Sequence, residues 1–245
     1  MINFNRINVS YIMNLALTIL HSKLILKNEK KGFSMQKFKD FFYDDLSVTR
    51  GNYFLTLMAA FFITIILFIG IGVSEVHLLY SMLIVLVGLI LLRLFKINLF
   101  SFKKLTLSQV IYIIGGALLI YGLDNLYLYF HDVPANEQQL EQEIRNTPFY
   151  ISIFTVTIIP AIVEEIVFRG MIIRIIFRKH LFLGLIVSSL VFASLHESDT
   201  WIGYLPYLYS GLIFGLLYIK TKRLEVVIFM HFLNNLLALL FIIWR

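Results

Sequence analysis

Three short stretches carry side chains suited to chemistry: "EEIVFR" at 164–169, "FASLH" at 192–196 and "HFLNN" at 231–235. A carboxylate and a histidine can hold a water and take its proton, while histidine and asparagine can donate to the oxyanion that forms when that water attacks an amide. Amide hydrolysis is the reaction that Glu164, His196, His231 and Asn235 could run together. Glu165 and Arg169 stand one helical turn apart with the acid on the N-terminal side, the favourable order for an ion pair. Glu164 is displaced about 100° around the same helix, which leaves its carboxylate for chemistry. Pro160, one turn earlier, cannot donate to the carbonyl of Val156 and is expected to kink the helix and admit water. A buried ion pair that merely holds two helices together is the competing reading.

The elements that must position these groups are apolar. The chain is 59% hydrophobic and 15% charged, with a mean hydropathy of +0.84, unlike a soluble domain. A spanning helix needs about 20 mainly apolar residues, and such stretches lie at 53–73, 77–95, 108–130, 149–173, 181–196, 203–219 and 224–244. The expected fold is all-α, a polytopic membrane helical bundle with about seven transmembrane helices. A charge at the centre of such a helix costs about 2.5–3.5 kcal/mol, so Glu164, Glu165 and Arg169 must face a bundle interior or a wet cavity. The fourth and fifth spans form a hairpin about Lys179 and His180, placing Glu164 and His196 at similar depth. His231, about 12 Å into the last span at ~1.5 Å per residue, reaches that depth only if the fourth span starts to leave the membrane near Arg169.

Basic residues cluster before the first span and after the second, fourth and sixth, whereas the alternate loops hold one, Arg145. The positive-inside rule puts the N-terminus in the cytoplasm of a multi-pass cell-membrane protein. The net charge of +6 is then a topological signal and an attraction to the anionic lipid bilayer, with no nucleic-acid partner implied. With no cysteine, disulfides and thiolate chemistry are excluded. Residues 1–50 read as a cytoplasmic leader with an interfacial helix at 9–20, a start at Met35 being the alternative; residues 51–245 form the transmembrane domain. The segment "PANEQQLEQEIRN" has helix-like features, with Asn136 as an N-cap, but a solvated loop is the preferred expectation. Asp124 and Asn125 are expected to make helix–helix hydrogen bonds.

The ordered set of EExxxR, FxxxH and HxxxN resembles the CPBP family, also called Abi, of CAAX prenyl endopeptidases and bacteriocin-processing enzymes, over about residues 108–244. The resemblance implies an intramembrane protease acting on a peptide or membrane protein. Glu164 and His196 would activate water, His231 and Asn235 would stabilise the oxyanion, Glu165 and Arg169 would support them, and Phe192 would pack nearby. Peptide processing or bacteriocin self-immunity are the roles it brings. The alternative is a non-catalytic membrane scaffold or immunity protein that binds a membrane partner. Other protease classes fail on sequence: "HESDT" has Thr200 where a zincin needs its second histidine, and "YGLDN" lacks GxGD. The family's metalloprotease label would make Glu164, His196 and His231 zinc ligands. Asn235 is a poor zinc ligand and a good oxyanion donor, so a metal-free mechanism is preferred and no cofactor is assigned.

Overall fold

The structure, a computed structural model, describes residues 41–42, 52–74 and 76–244. The expected interfacial helix at 9–20 and nearly all of the 1–50 leader lie outside the described residues. Among the described residues eight helices follow in order: α1 Tyr53–Ser74, α2 Leu78–Leu94, α3 Leu107–Phe130, α4 Ala135–Asn146, α5 Phe149–Ile176, α6 Leu181–Ser194, α7 Leu205–Thr221 and α8 Leu224–Trp244. Among them α1, α3, α5, α8 and the run Trp201–Thr221 are long and apolar enough to cross a membrane, while α2 and α6 are shorter apolar helices. The protein is an all-helical, multi-pass membrane bundle with about seven apolar helices, as the hydropathy pattern predicts.

Burial runs opposite to that of a soluble protein. Phe54, Phe61, Leu79, Ile111, Leu118 and Phe241 are exposed on the outside of the bundle, whereas Glu165, Arg169, Ser188, Ser189 and His231 are buried within it. In lipid there is no solvent gain from hiding apolar side chains, so helices associate through close packing and interhelical hydrogen bonds between small and polar residues. Ser81 donates to the Gly70 carbonyl at 2.6 Å, joining α1 to α2. Ser188 donates to the Phe168 carbonyl at 3.0 Å, joining α6 to α5. At Gly211 a Cβ would sit 3.1 Å from the Ser189 Cα, so any larger residue would have to push α6 and α7 apart by a few tenths of an ångström.

Two expectations are corrected. The 134–146 segment is a helix, not a loop; Pro134 occupies its N-cap, and the Asn136 backbone N–H donates to the Glu197 carbonyl at 3.2 Å instead of capping. Its apolar Ile144 is buried, which gives the helix the tertiary contact a solvated loop lacks. Helix α5 continues past the glutamates to Ile176, with Phe168, Arg169, Ile173 and Ile175 all buried in the bundle. The fifth span is shorter than expected, because helix stops at Ser194 and "HESDT" forms an irregular connection.

Candidate active site

Helix α5 is irregular where it carries the glutamates. Ile153–Ile158 and Ile166–Ile176 are wound as π-helix, and a short α-helical piece, Ile159–Glu165, lies between them. Pro160 accounts for the first irregularity, since it has no N–H for the Val156 carbonyl. That carbonyl instead accepts from the Asn235 side chain on α8 at 3.2 Å. The proline and the asparagine thus act as a pair, and the helix that loses an internal hydrogen bond gains one between helices. π-Helical winding is found disproportionately at functional sites because it reorients successive side chains.

Glu165 is the centre of the buried polar network. Its Oε1 accepts from Arg169 Nη1 at 2.9 Å and faces His231 Nδ1 at 2.8 Å, with both members of the ion pair fully buried. The other arm of Arg169, Nη2, donates to the Gly211 carbonyl at 2.8 Å. Its guanidinium lies 5.8, 5.2 and 5.3 Å from the ring centres of Phe168, Phe192 and Phe214. A charge so far from water needs this density of partners, and aromatic faces add cation–π attraction where carbonyls are scarce.

His231 connects this network to the second glutamate, Glu164. One ring nitrogen is held by Glu165, and the other, Nε2, lies 3.8 Å from Glu164 Oε2. The Glu164 side chain keeps 17% of its surface exposed, in contrast to its fully buried neighbour. The different faces predicted for the two glutamates are therefore present, and His231 spans them. The ring is held flat by Phe214, stacked at 4.5 Å.

His196 follows the end of α6. Its Nδ1 is 2.8 Å from the Phe192 carbonyl, which fixes the ring with Nδ1–H as donor and leaves Nε2 as an acceptor. Phe192 packs against it at 4.8 Å and Tyr207 stacks on it at 4.1 Å. His196 lies within electrostatic reach of both Glu164 and His231. All seven residues singled out in the sequence thus belong to one neighbourhood. Asn235 is the one whose contacts differ from expectation: one of its amide donors is engaged by Val156, leaving the second N–H for other use.

Sequence reasoning missed the contribution of α7, namely Tyr207 under His196, Gly211 under Arg169 and Phe214 under His231. The available signal was their i, i+4, i+7 spacing, which places all three on one helical face. Asp124, expected to bond between helices, does so by accepting from the Tyr209 hydroxyl of α7. Asn125 instead donates to the Tyr121 carbonyl of its own helix, at 2.7 Å. Among the described residues no three His, Cys, Asp or Glu side chains converge closely enough to hold a metal ion. In both His196 and His231 Nδ1 is held by a hydrogen bond and Nε2 is not, an arrangement that suits an imidazole acting on water and equally one ligating a metal ion, whose second nitrogen is normally oriented in this way.

The fold and site define a polytopic membrane protein with a buried glutamate–arginine–histidine network opening onto a second, accessible glutamate. Residues 146–237, which hold every one of these side chains on α5, α6 and α8, match the family described as Type II CAAX prenyl endopeptidase Rce1-like. The chain is 30% identical over 179 residues to the UPF0177 protein YbdI of Lactococcus lactis subsp. lactis (strain IL1403), spanning 69% of this chain and 97% of that protein. It is 33% identical over 148 residues to the membrane-embedded CAAX protease MroQ of Staphylococcus aureus (strain USA300), spanning 53% of this chain and 58% of that protein. No solved structure matches. The chain belongs to the Rce1-like CAAX protease family, a family of membrane proteases.

Proposed function

We propose that the chain is an intramembrane endopeptidase that hydrolyses a peptide or membrane-associated protein by water attack, with Glu164 and His196 as the activating pair. The observation that supports this reading most is the buried Arg169–Glu165–His231 relay that ends 3.8 Å from Glu164. A water between Glu164 and Nε2 of His196 gives its proton to Glu164 as its oxygen bonds to the scissile carbonyl carbon. Charge then develops on the carbonyl oxygen. A protonated His231 donates Nδ1–H to Glu165 and presents Nε2–H to that oxyanion, joined by the free N–H of Asn235. With His231 protonated the two carboxylates balance the two cations, so the site is neutral overall. When the C–N bond breaks, the leaving amine takes the proton from Glu164. An oxyanion donor of this kind is typically worth about 2.7–4 kcal/mol in the transition state.

The mechanism is written without a metal because Asn235, paired with His231 in the third motif, is a poor zinc ligand and a good oxyanion donor. Peptide-signal processing and bacteriocin self-immunity are the biological roles that suit a small bacterial-type member, and the similar protein MroQ is named a membrane-embedded CAAX protease. The test compares peptides released by cells carrying the native chain or Glu164→Gln, and repeats the assay on purified protein after exhaustive dialysis against a zinc chelator. Glu164→Gln is expected to abolish release while the protein remains inserted, and the chelator is expected to leave activity intact. Full activity in Glu164→Gln would refute the protease reading and favour the non-catalytic scaffold or immunity role. Loss with chelator and recovery with zinc would turn the histidines into ligands.

A further inference from the structure

The proposed catalytic water accounts for one side of His196; the other side opens on groups with no part in the mechanism. Asp124 on α3 and Glu137 on α4 are close enough for their charges to repel. Asp124 accepts from Tyr209, but among the described residues no basic side chain pairs with either carboxylate. Between them and His196 stands Tyr207, 9% exposed, its ring stacked on the imidazole at 4.1 Å. Its hydroxyl is buried beside the Asn136 side chain, in no well-formed hydrogen bond, and within reach of the charge of both carboxylates.

We propose that Asp124, Glu137 and the Tyr207 hydroxyl form a subsite for a cationic group of the substrate, a lysine or arginine side chain or a free amino terminus. This rests on the protease reading for calling the ligand a substrate. An ammonium or guanidinium donates to two carboxylates and to a phenolic oxygen at once, which satisfies the buried hydroxyl and cancels the repulsion. Interhelical bonding alone explains the Tyr209–Asp124 contact but neither Glu137 nor the Tyr207 hydroxyl. Burial, followed by the Asp124 charge, pushes the Glu137 carboxyl up to about 7, the response of an acid that lacks a cation. Around Glu137 the rim has the same sign: segments 131–147 and 196–200 hold six acidic residues and one basic one, Arg145, which Glu141 already pairs at 2.6 Å. A negative rim attracts cationic peptides and repels acidic ones. The stack on His196 sets the cation one tyrosine ring away from the proposed water, so the subsite would read a position close to the scissile bond.

The experiment uses the full chain in detergent, with Glu164→Gln to keep peptides intact, and fluorescence anisotropy of a labelled apolar peptide in three forms. One carries lysine and a blocked N-terminus, one norleucine and a blocked N-terminus, and one norleucine and a free N-terminus. A cationic form is expected to bind about tenfold more tightly than the blocked norleucine form, the ratio given by one net contact of ~1.4 kcal/mol. Which cationic form shows the gain tells a side-chain cation from an amino terminus. Adding Asp124→Asn with Glu137→Gln should erase the preference, and Tyr207→Phe should reduce it. Glu141→Gln, also on the rim, should leave it unchanged. If the double substitution does not fold, Glu137→Gln alone on α4 serves, with a partial loss expected. Equal affinities on the native subsite, including no binding of any form, overturn the proposal, as does a preference that survives the carboxylate substitutions. Charge preference without Glu164-dependent cleavage by the native chain would sink the protease reading alone and leave a cation site.

Discussion

Replacing Glu165 by Gln is the most informative single change in the buried network, because the structure assigns the two adjacent glutamates opposite sensitivities. Glu165 is fully buried and accepts from Arg169 at 2.9 Å and His231 at 2.8 Å. An amide of the same shape retains an acceptor oxygen but removes the charge that balances Arg169. The guanidinium would keep the Gly211 carbonyl and three phenylalanine faces, so the loss falls at the lower end of the ~3–5 kcal/mol typical of a broken buried pair. At about 3 kcal/mol, and about 2–4 °C per kcal/mol for a chain of this size, unfolding in detergent should occur roughly 6–12 °C lower. Glu164→Gln, at a side chain still 17% exposed and with no ion pair closer than 3.8 Å, should shift it by no more than about 2–4 °C, the effect of ~1 kcal/mol. Both variants should lose proteolysis. The assay is thermal unfolding of the purified variants followed by tryptophan fluorescence, in one detergent. Equal shifts, or a larger one for Glu164→Gln, would refute the division of labour between the two carboxylates.

Asn235→Ala removes the donor to the Val156 carbonyl and should destabilise by about 0.6–1.7 kcal/mol, the range of interhelical bonds in membranes; an unchanged unfolding temperature would show that the bond carries nothing. Gly211→Ala forces a Cβ to 3.1 Å from the Ser189 backbone, so α6 and α7 should part, with a cost of about 1–3 kcal/mol and weakened Arg169 anchoring. A variant as stable and active as the native chain would count against that tight crossing. Cysteines placed at Asn136 and Lys222, on either side of α5, α6 and α7, should be labelled by impermeant reagent from opposite sides of the membrane, Asn136 from outside. Labelling from one side would undo both the span count and the positive-inside orientation. Because Glu137 holds its proton up to about pH 7, binding of the cationic peptide should strengthen as pH rises from 6 to 8. Glu137→Gln should flatten that profile, and a profile unchanged by the substitution would remove Glu137 from the subsite.

The number of apolar helices, the partnership of Glu165 with Arg169 and the separate face of Glu164 were legible in the sequence because each depends on local geometry. A run of apolar residues must span lipid as a helix to satisfy its own backbone, and residues four apart on a helix must be neighbours. The Pro160 irregularity was likewise written in a missing N–H. What satisfied the freed Val156 carbonyl was not, since Asn235 lies 79 residues away and only the packing of α8 against α5 brings its amide there. That His231 and Glu164 come within 3.8 Å of each other was not legible for a related reason. Sequence spacing measures depth along an ideal α-helix, whereas α5 is π-wound on both sides of its glutamates. Tertiary structure alone decided that His231 would span both carboxylates, that Gly211 would supply a carbonyl to a buried guanidinium, and that Tyr207 would stack on His196. Those contacts depend on how closely helices from distant parts of the chain approach, and that distance is set by the small residues between them, which periodicity does not encode.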